Sequence, residues 1–377
     1  SGIRVIKSFV QEKAMLGFFQ KNSEEYKKNA IGLAKVEAIY FPSMALMIGL
    51  STLVTIMLGG IQALQDTSKV GLIVEFVIYI NMLTFPVSAI GWTASMIQRA
   101  AASQKRLNEF LQTTPAITNQ PNQVKSDVTG DIVFDDMSFT YPHTGIKALQ
   151  HINLHIHQGQ KILVLGRTGS GKSTLAQLLL RFYDPTMGSI RIGNRDIKEF
   201  DLKKLREQIS YVQQDVFLFS DTVSDNIRFG LSEQAPKDTI IQAAMASGVH
   251  REILEFSHGY ETRIGERGVT LSGGQKQRIS IARALIKEPE IVVFDDCLSA
   301  VDAKTEKTII DNLYRYLNNK TAIIITHRIF STFRFDNIIV LEQGKLAEQG
   351  THEQLMAHNG YYADLYRLQL TEEKKEG

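Results

Sequence analysis

The densest chemistry in the chain lies between residues 161 and 181. Lys161–Leu165 reads as a buried strand and runs directly into Gly166-Arg167-Thr168-Gly169-Ser170-Gly171-Lys172-Ser173-Thr174, followed by an apolar helical run, Leu175–Arg181. The pattern G-x-x-x-x-G-K-[ST] between a strand and a helix is that of a phosphate-binding loop. Gly166, Gly169 and Gly171 let the backbone turn so that successive N–H groups face a phosphate. The following helix N-terminus adds favourable partial charge. Lys172 is then placed to reach the β- and γ-phosphates, and the Ser173 hydroxyl to ligate Mg2+. Ile291-Val-Val-Phe-Asp295-Asp296 is an apolar strand that ends in two carboxylates. At a strand tip beside the loop, Asp295 suits the metal's outer coordination and Asp296 suits orienting or deprotonating an attacking water.

The rest of the chain must position these groups. With 377 residues, two or three domains are expected, and a hydrophobic share of 44% with 22% charged residues excludes wholesale disorder. Lys and Arg number 42 against 40 Asp and Glu, a net charge of +2, which argues against a nucleic-acid partner. The single cysteine, Cys297, excludes an internal disulfide. Short β-rich runs alternating with helical patterns from Asp131 to about Leu370 predict an α/β domain with a parallel core sheet. Residues 112–130, with Pro115 and Pro121, read as a linker, and residues 371–377 as a charged tail.

Ahead of the linker, residues 1–111 differ in texture. A polar, basic helical segment (Arg4, Lys7, Lys13, Lys21, Lys27, Lys28, Lys35) precedes two apolar stretches, 36–58 and 70–92. Each is near the ~20 residues that cross a membrane. Buried helices of a soluble domain would rarely be so long and so free of charge. Basic residues gather before the first stretch and after the second (Arg99, Lys105, Arg106). That places both outer ends in the cytoplasm and the Gly59–Lys69 connector outside. Pro42 and Pro86 are expected to kink these spans, and Glu75 to snorkel toward the outer surface. A chain opening at Ser1 reads as a piece of a longer protein.

Leu271-Ser272-Gly273-Gly274-Gln275 lies between the loop and the acidic strand. Phosphate loop, LSGGQ and Asp295 in this order resemble the ATP-binding cassette (ABC) family, over essentially all of residues 131–370. The resemblance implies a cassette with a β-subdomain, a parallel core sheet and a helical signature subdomain, with ATP and Mg2+ as cofactors. Tyr141 matches the aromatic that stacks on adenine, although a core aromatic is the alternative. Gln214 matches the glutamine that touches Mg2+ and senses the membrane domain. Asp302, in Ser299-Ala-Val-Asp302, matches a loop at the dimer interface, and His327 the histidine that contacts the γ-phosphate. Ser272, Gly273, Gly274 and Gln275 would close on ATP held by a second half-transporter. Gly265-Glu-Arg-Gly268 and Gly2–Phe9 resemble exporter segments, so the expected protein is an exporter half with further spans upstream. Its bound cargo would be a small molecule, lipid or peptide, with multidrug export the commonest association, and its location a bacterial inner membrane with the cassette in the cytoplasm.

One position departs from the family. Most active cassettes carry Glu where this chain has Asp296, which withdraws the carboxylate by one methylene. The expectation is a weak ATP site in a heterodimer, with a homodimer, a regulatory subunit with little turnover and a soluble cassette ATPase as the alternatives. His151, His155 and His157 look like a metal cluster, but they alternate with apolar residues and no Cys lies nearby, so they read as surface histidines on a strand; Cys297, with no paired base in view, reads as small core filler rather than a nucleophile.

Overall fold

The computed structural model describes residues 2–376 except 67, 69, 120–122, 125, 232–234, 266–267, 269, 298–302 and 330–333, with backbone alone at 4, 37, 41, 303–308 and 372–376. By internal packing the chain divides into Ser1–Thr114 and Pro115–Gly377.

The first unit is helical: α1 (Ile3–Ser8), α2 (Glu12–Gln65) and α3 (Val70–Leu111). At 1.5 Å per residue, the 54 residues of α2 extend roughly 80 Å, far beyond a ~30 Å hydrocarbon core. The apolar stretches are therefore segments of longer helices, both apolar and long enough to cross a membrane. Both helices run on through their prolines, Pro42 and Pro86. The connector expected over Gly59–Lys69 is shorter, because α2 continues to Gln65. Gly59 stays helical where the helices approach closely: a Cβ there would stand 2.6 Å from Ile73 Cγ1. Large apolar side chains such as Leu46, Leu53, Leu83 and Phe85 are exposed, so these helices need lipid or further helices around them. Glu75 accepts a hydrogen bond from the Tyr79 hydroxyl one turn on.

The second unit has two sheets. In the four-stranded antiparallel sheet, β1 (Ile132–Thr140) lies between β2 (Lys147–Ile156) and β4 (Met187–Ile192), with the short β5 (Arg195–Asp196) beyond β4. The six-stranded sheet runs β10 (Lys345–Gly350), β9 (Asn337–Glu342), β3 (Lys161–Leu165), β8 (Thr321–Ile325), β7 (Ile291–Asp295), β6 (Ile209–Val212). Four of its five pairings are parallel, the parallel core that the sequence predicts, and at the edge β10 pairs antiparallel with β9. The reason is the tight turn at Gln343 and Gly344, both at positive φ (48° and 77°), which folds the chain straight back. Strands β3, β7 and β8 are buried on both faces, as continuous apolar strands of a parallel sheet should be.

Helix α4 (Lys172–Leu179) and the antiparallel sheet share one core with β3, around Phe134, Ile162, Val164 and Leu178. α5 (Leu202–Gln208) leads into β6. Helices α6 (Val223–Arg228), α7 (Lys237–Ala246), α8 (His250–Glu255) and α9 (Gly273–Leu285) enclose a separate core of Leu218, Ile227, Ala244, Ile253 and Ile279. On the other face of the large sheet lie α10 (Ala303–Tyr316), α11 (His352–His358) and α12 (Tyr361–Glu376), around Leu313, Leu355 and Tyr362.

Two sequence expectations change here. Much of the 112–130 linker is packed: Val128 is fully buried, Val124 bridges Phe200, and the Thr118 carbonyl accepts from Arg181. Isolated valines in a polar stretch supply this anchoring without making a periodic pattern. The tail at 371–376 is a continuation of α12, consistent with the helix preference of Glu and Lys.

Candidate functional site

At the end of β3 the chain turns sharply. Gly166 has φ 147°, and a Cβ there would lie 2.2 Å from the Leu341 carbonyl oxygen on β9. Gly171 has φ 100°, and a Cβ would meet the Ala148 carbonyl and Leu149 Cδ2 at 2.6 Å each. Only glycine fits either position. Gly171 begins α4 with no side-chain cap, so the first turn's N–H groups stay open to an anion. Lys172 is 6% exposed, and its Nζ donates to the carbonyls of Gly166 (2.7 Å) and Arg167 (3.0 Å). Burial pushes its pKa down, opposed by the charges of Asp295 and Asp296. The buried Ser170 hydroxyl has no protein partner. A glycine cradle, open N–H groups and an orphaned hydroxyl are what a bound phosphate chain would fit.

Thr168, Gly169, Gly171, Lys172, Ser173 and Thr174 line a cavity of about 530 Å³ together with Tyr141, Gln214, Asp295, Asp296 and His327. Tyr141 meets both readings offered for it. Its ring packs edge-on against Phe139 (4.9 Å) and Tyr183 (5.5 Å), yet it also walls the cavity. Its hydroxyl lies 3.0 Å from Thr174 Oγ1 and donates to Gln177 Oε1 at 3.2 Å.

The acidic pair closes the far wall. Asp295, 3% exposed, ends β7 and accepts from the Tyr211 hydroxyl on the neighbouring β6 at 2.8 Å. Burial, then the Asp295 charge, pushes the Tyr211 pKa well up, so this phenol stays a donor. Sequence reasoning passed over Tyr211; its only signal was a polar side chain two residues before Gln213-Gln214. Asp296 follows at φ 46°, a backbone that Asp tolerates better than most residues, and its N–H donates to the Ile325 carbonyl on β8 at 2.8 Å. Its Oδ2 accepts from Gln214 Nε2 at 3.4 Å. Burial, with the Asp295 charge in support, raises the Asp296 pKa; His327, Lys172 and a Thr326 hydrogen bond oppose the rise. A raised pKa makes this carboxylate a better proton acceptor.

The signature turn stands elsewhere. Ser272, Gly273, Gly274 and Gln275 do not line the cavity; they open α9. Ser272 Oγ accepts from the Gln275 N–H at 3.2 Å, and Gln275 Oε1 accepts from the Ser272 N–H at 3.0 Å, a capping box. The hydroxyl proton of Ser272 is left to donate outward. Gly268 donates to the Gly265 carbonyl at 2.7 Å, while Glu266, Arg267, Ser299 and Asp302 lie outside the described residues. Cys297 is buried in the core, where burial drives its thiol pKa up.

A phosphate loop, an acidic strand tip and a strand-end histidine on one cavity, with a separate helical subdomain, define a P-loop nucleotide-binding domain. Residues 149–299 match the family described as ABC transporter, and residues 1–87 match the ABC transporter transmembrane region. The chain belongs to the ABC transporter family and joins part of a membrane region to its ATP-binding domain.

Among curated relatives, the "Probable multidrug resistance ABC transporter ATP-binding/permease protein YheI" of Bacillus subtilis is 40% identical over 100% of this chain and 64% of its own length. The multidrug resistance-like ATP-binding protein MdlA of Escherichia coli is 36% identical over 99% of this chain and 63% of its own length. The ATP-dependent lipid A-core flippase of Aromatoleum aromaticum is 35% identical, over 99% and 61%. A solved bacterial Atm1-family ABC exporter with ATP bound superposes with a TM-score of 0.90 at 31% identity, covering 98% of this chain and 65% of that one. The chain thus spans somewhat under two thirds of the length of these proteins.

Proposed function

We propose that this chain is the carboxy-terminal part of one half of a dimeric exporter that couples ATP hydrolysis to movement of a substrate across the membrane. The observation that carries the reading is the single cavity holding Lys172, Ser173, Gln214, Asp295, Asp296 and His327. Lys172, the α4 N-terminus and Ser170 would hold the phosphates, with Tyr141 beside the base. Ser173, Gln214 and Asp295 would hold Mg2+, which when bound neutralises charge on the β- and γ-phosphates. Asp296 Oδ2 accepts the proton of the attacking water, and Gln214, which touches that oxygen, links its position to the chain leaving β6. His327 stands where charge develops on the terminal phosphate. Ser272 and Gly274 on α9 serve the ATP of the partner half, and Asp302 the interface between halves. The cassette boundaries 131–370 follow from this reading.

Asp296 favours a heterodimer over a homodimer. The shorter side chain reaches less far toward water, and a misplacement on the order of 1 Å costs about a hundredfold in rate. The partner half would then carry the faster site, served by this chain's intact signature turn. The relatives' names, multidrug resistance and lipid A-core flippase, support a drug-like molecule or a lipid as substrate. ATP turnover by the purified chain without a partner, compared with Asp296→Glu, tests the assignment. A slow wild type accelerated at least tenfold by Glu supports the heterodimer. A wild type turning over at about 1 s⁻¹ or faster overturns it in favour of a homodimer. Loss of phosphate release on falling pH, with a midpoint above the ordinary ~3.9 of Asp and absent in Asp296→Asn, identifies the base.

A further inference from the structure

Asp131 sits just before β1, His155 near the end of β2 and His157 just past it. Antiparallel pairing of Ile132 with Ile156 brings the three together across the sheet edge. His155 Nε2 and His157 Nδ1 both lie 2.8 Å from one oxygen of Asp131, Oδ2. The two imidazoles pack with centroids 4.3 Å apart. The other carboxylate oxygen, Oδ1, accepts the Gln158 N–H at 2.9 Å, which fixes the carboxylate's orientation. The His157–Gln160 turn is pinned from both ends: Gln160 Oε1 accepts from the His157 N–H, and the Gln160 N–H donates to the His157 carbonyl.

We propose that Asp131, His155 and His157 form a binding site for one divalent transition-metal ion of the zinc class. Two imidazole nitrogens and one carboxylate oxygen suit Zn2+ and its neighbours, whereas Mg2+ and Ca2+ prefer all-oxygen sets. The three ligand atoms lie within 4.8 Å of one another. Bonds of about 2.0–2.1 Å in a tetrahedron separate neighbouring ligand atoms by about 3.3 Å, so each nitrogen would move out from Oδ2 by roughly half an ångström and the two nitrogens would close on each other by up to about 1.5 Å. The backbone hydrogen bonds that orient Asp131 and His157 reduce the ordering needed. The remaining coordination positions would face solvent, since both histidines are more than half exposed. An ion there would tie the start of β1 to the end of β2, which runs through the pinned turn into β3 and the phosphate loop. His151, 2.8 Å from Asp136, offers only a two-ligand pair and serves as the internal control.

The test is Zn2+ titration of the full chain, untagged, chelator-stripped and held in detergent micelles, by isothermal calorimetry. One equivalent binding with micromolar or tighter affinity is expected. His155→Ala and His157→Ala should each weaken it at least about tenfold, and His151→Ala should leave it unchanged. Should either variant misfold, Cu2+ loaded at one equivalent onto the wild type is read by electron paramagnetic resonance for two equatorial nitrogens. Absence of a micromolar site, equal binding in all three variants, or a Cu2+ spectrum without two nitrogens overturns the proposal.

Discussion

Helices α4 and α9 begin in opposite ways, although the proposed function assigns both N-termini to the same chemistry. α4 starts at Gly171 in a left-handed conformation with no side chain over its first N–H groups. α9 starts at Ser272 and satisfies itself through a reciprocal box with Gln275. The first is unfinished without an anion and sits inside a walled cavity; the second is complete as a helix and exposed. The difference teaches which surface can hold phosphate alone. The cavity supplies lysine, carboxylates and a glutamine around one point, while the signature turn offers a hydroxyl and glycine N–H groups and, in the function proposed above, would take the remainder from another subunit. Each substitution below is chosen to abolish or sharpen this asymmetry.

The largest effect is expected at Lys172. Lys172→Ala removes one of the two ammonium groups, with Lys147, among the described residues lining the cavity, and turnover should fall on the order of 10²–10³-fold. Stability should hold or rise, because in the absence of ligand the buried ammonium is desolvated and its pKa is pushed down. Phosphate release together with thermal melting checks both. Retained turnover would make the two helix ends equivalent and break the comparison.

Next comes Tyr211→Phe, which removes the donor that Asp295 holds at 2.8 Å in a buried place. Leaving a buried carboxylate short of a hydrogen bond costs about 1.5–3 kcal/mol. Denaturant unfolding should show that loss, and the Mg2+ concentration for half-maximal turnover should shift. A silent Tyr211→Phe would mean the β6–β7 contact does not shape the acidic wall.

What could be read in advance follows from how local each constraint is. Gly166–Thr174 is contiguous because one phosphate must meet successive N–H groups, so the loop was legible residue by residue. Ser272–Gln275 was legible for the same reason. Tyr211 was not, because its partner Asp295 lies 84 residues away and meets it only through parallel pairing of β6 with β7. Asp131 and His155 are likewise brought together by antiparallel register, and the histidines alone looked like an ordinary strand face. The reversed β10 hid behind a polar-apolar alternation that fits either direction, and its turn residues, Gln343 and Gly344, prove to line the cavity. The helices outgrew their apolar segments because hydropathy marks where lipid contact begins and ends, whereas the helix itself continues through polar sequence.

The smallest effect separates a cap from an anion surface, and the chain contains its own control. Thr351 begins α11 with the same reciprocal box, made with Gln354, far from the nucleotide cavity in sequence and lining none of it. Thr351→Ala and Ser272→Ala should each lower stability by about 1 kcal/mol through the lost cap. Only Ser272→Ala should also slow the ATP site of the partner half. Ser272→Asp sharpens the distinction: the carboxylate still accepts from the Gln275 N–H and favours the helix dipole, so stability should be kept. It can no longer donate a proton and brings negative charge toward phosphate, so turnover should fall further than in the alanine variant. Melting temperature and phosphate release measured on the three variants give the answer. If Ser272→Asp turned over like the wild type, α9 would be a capped helix and nothing more, and the asymmetry with α4 would be one of packing alone.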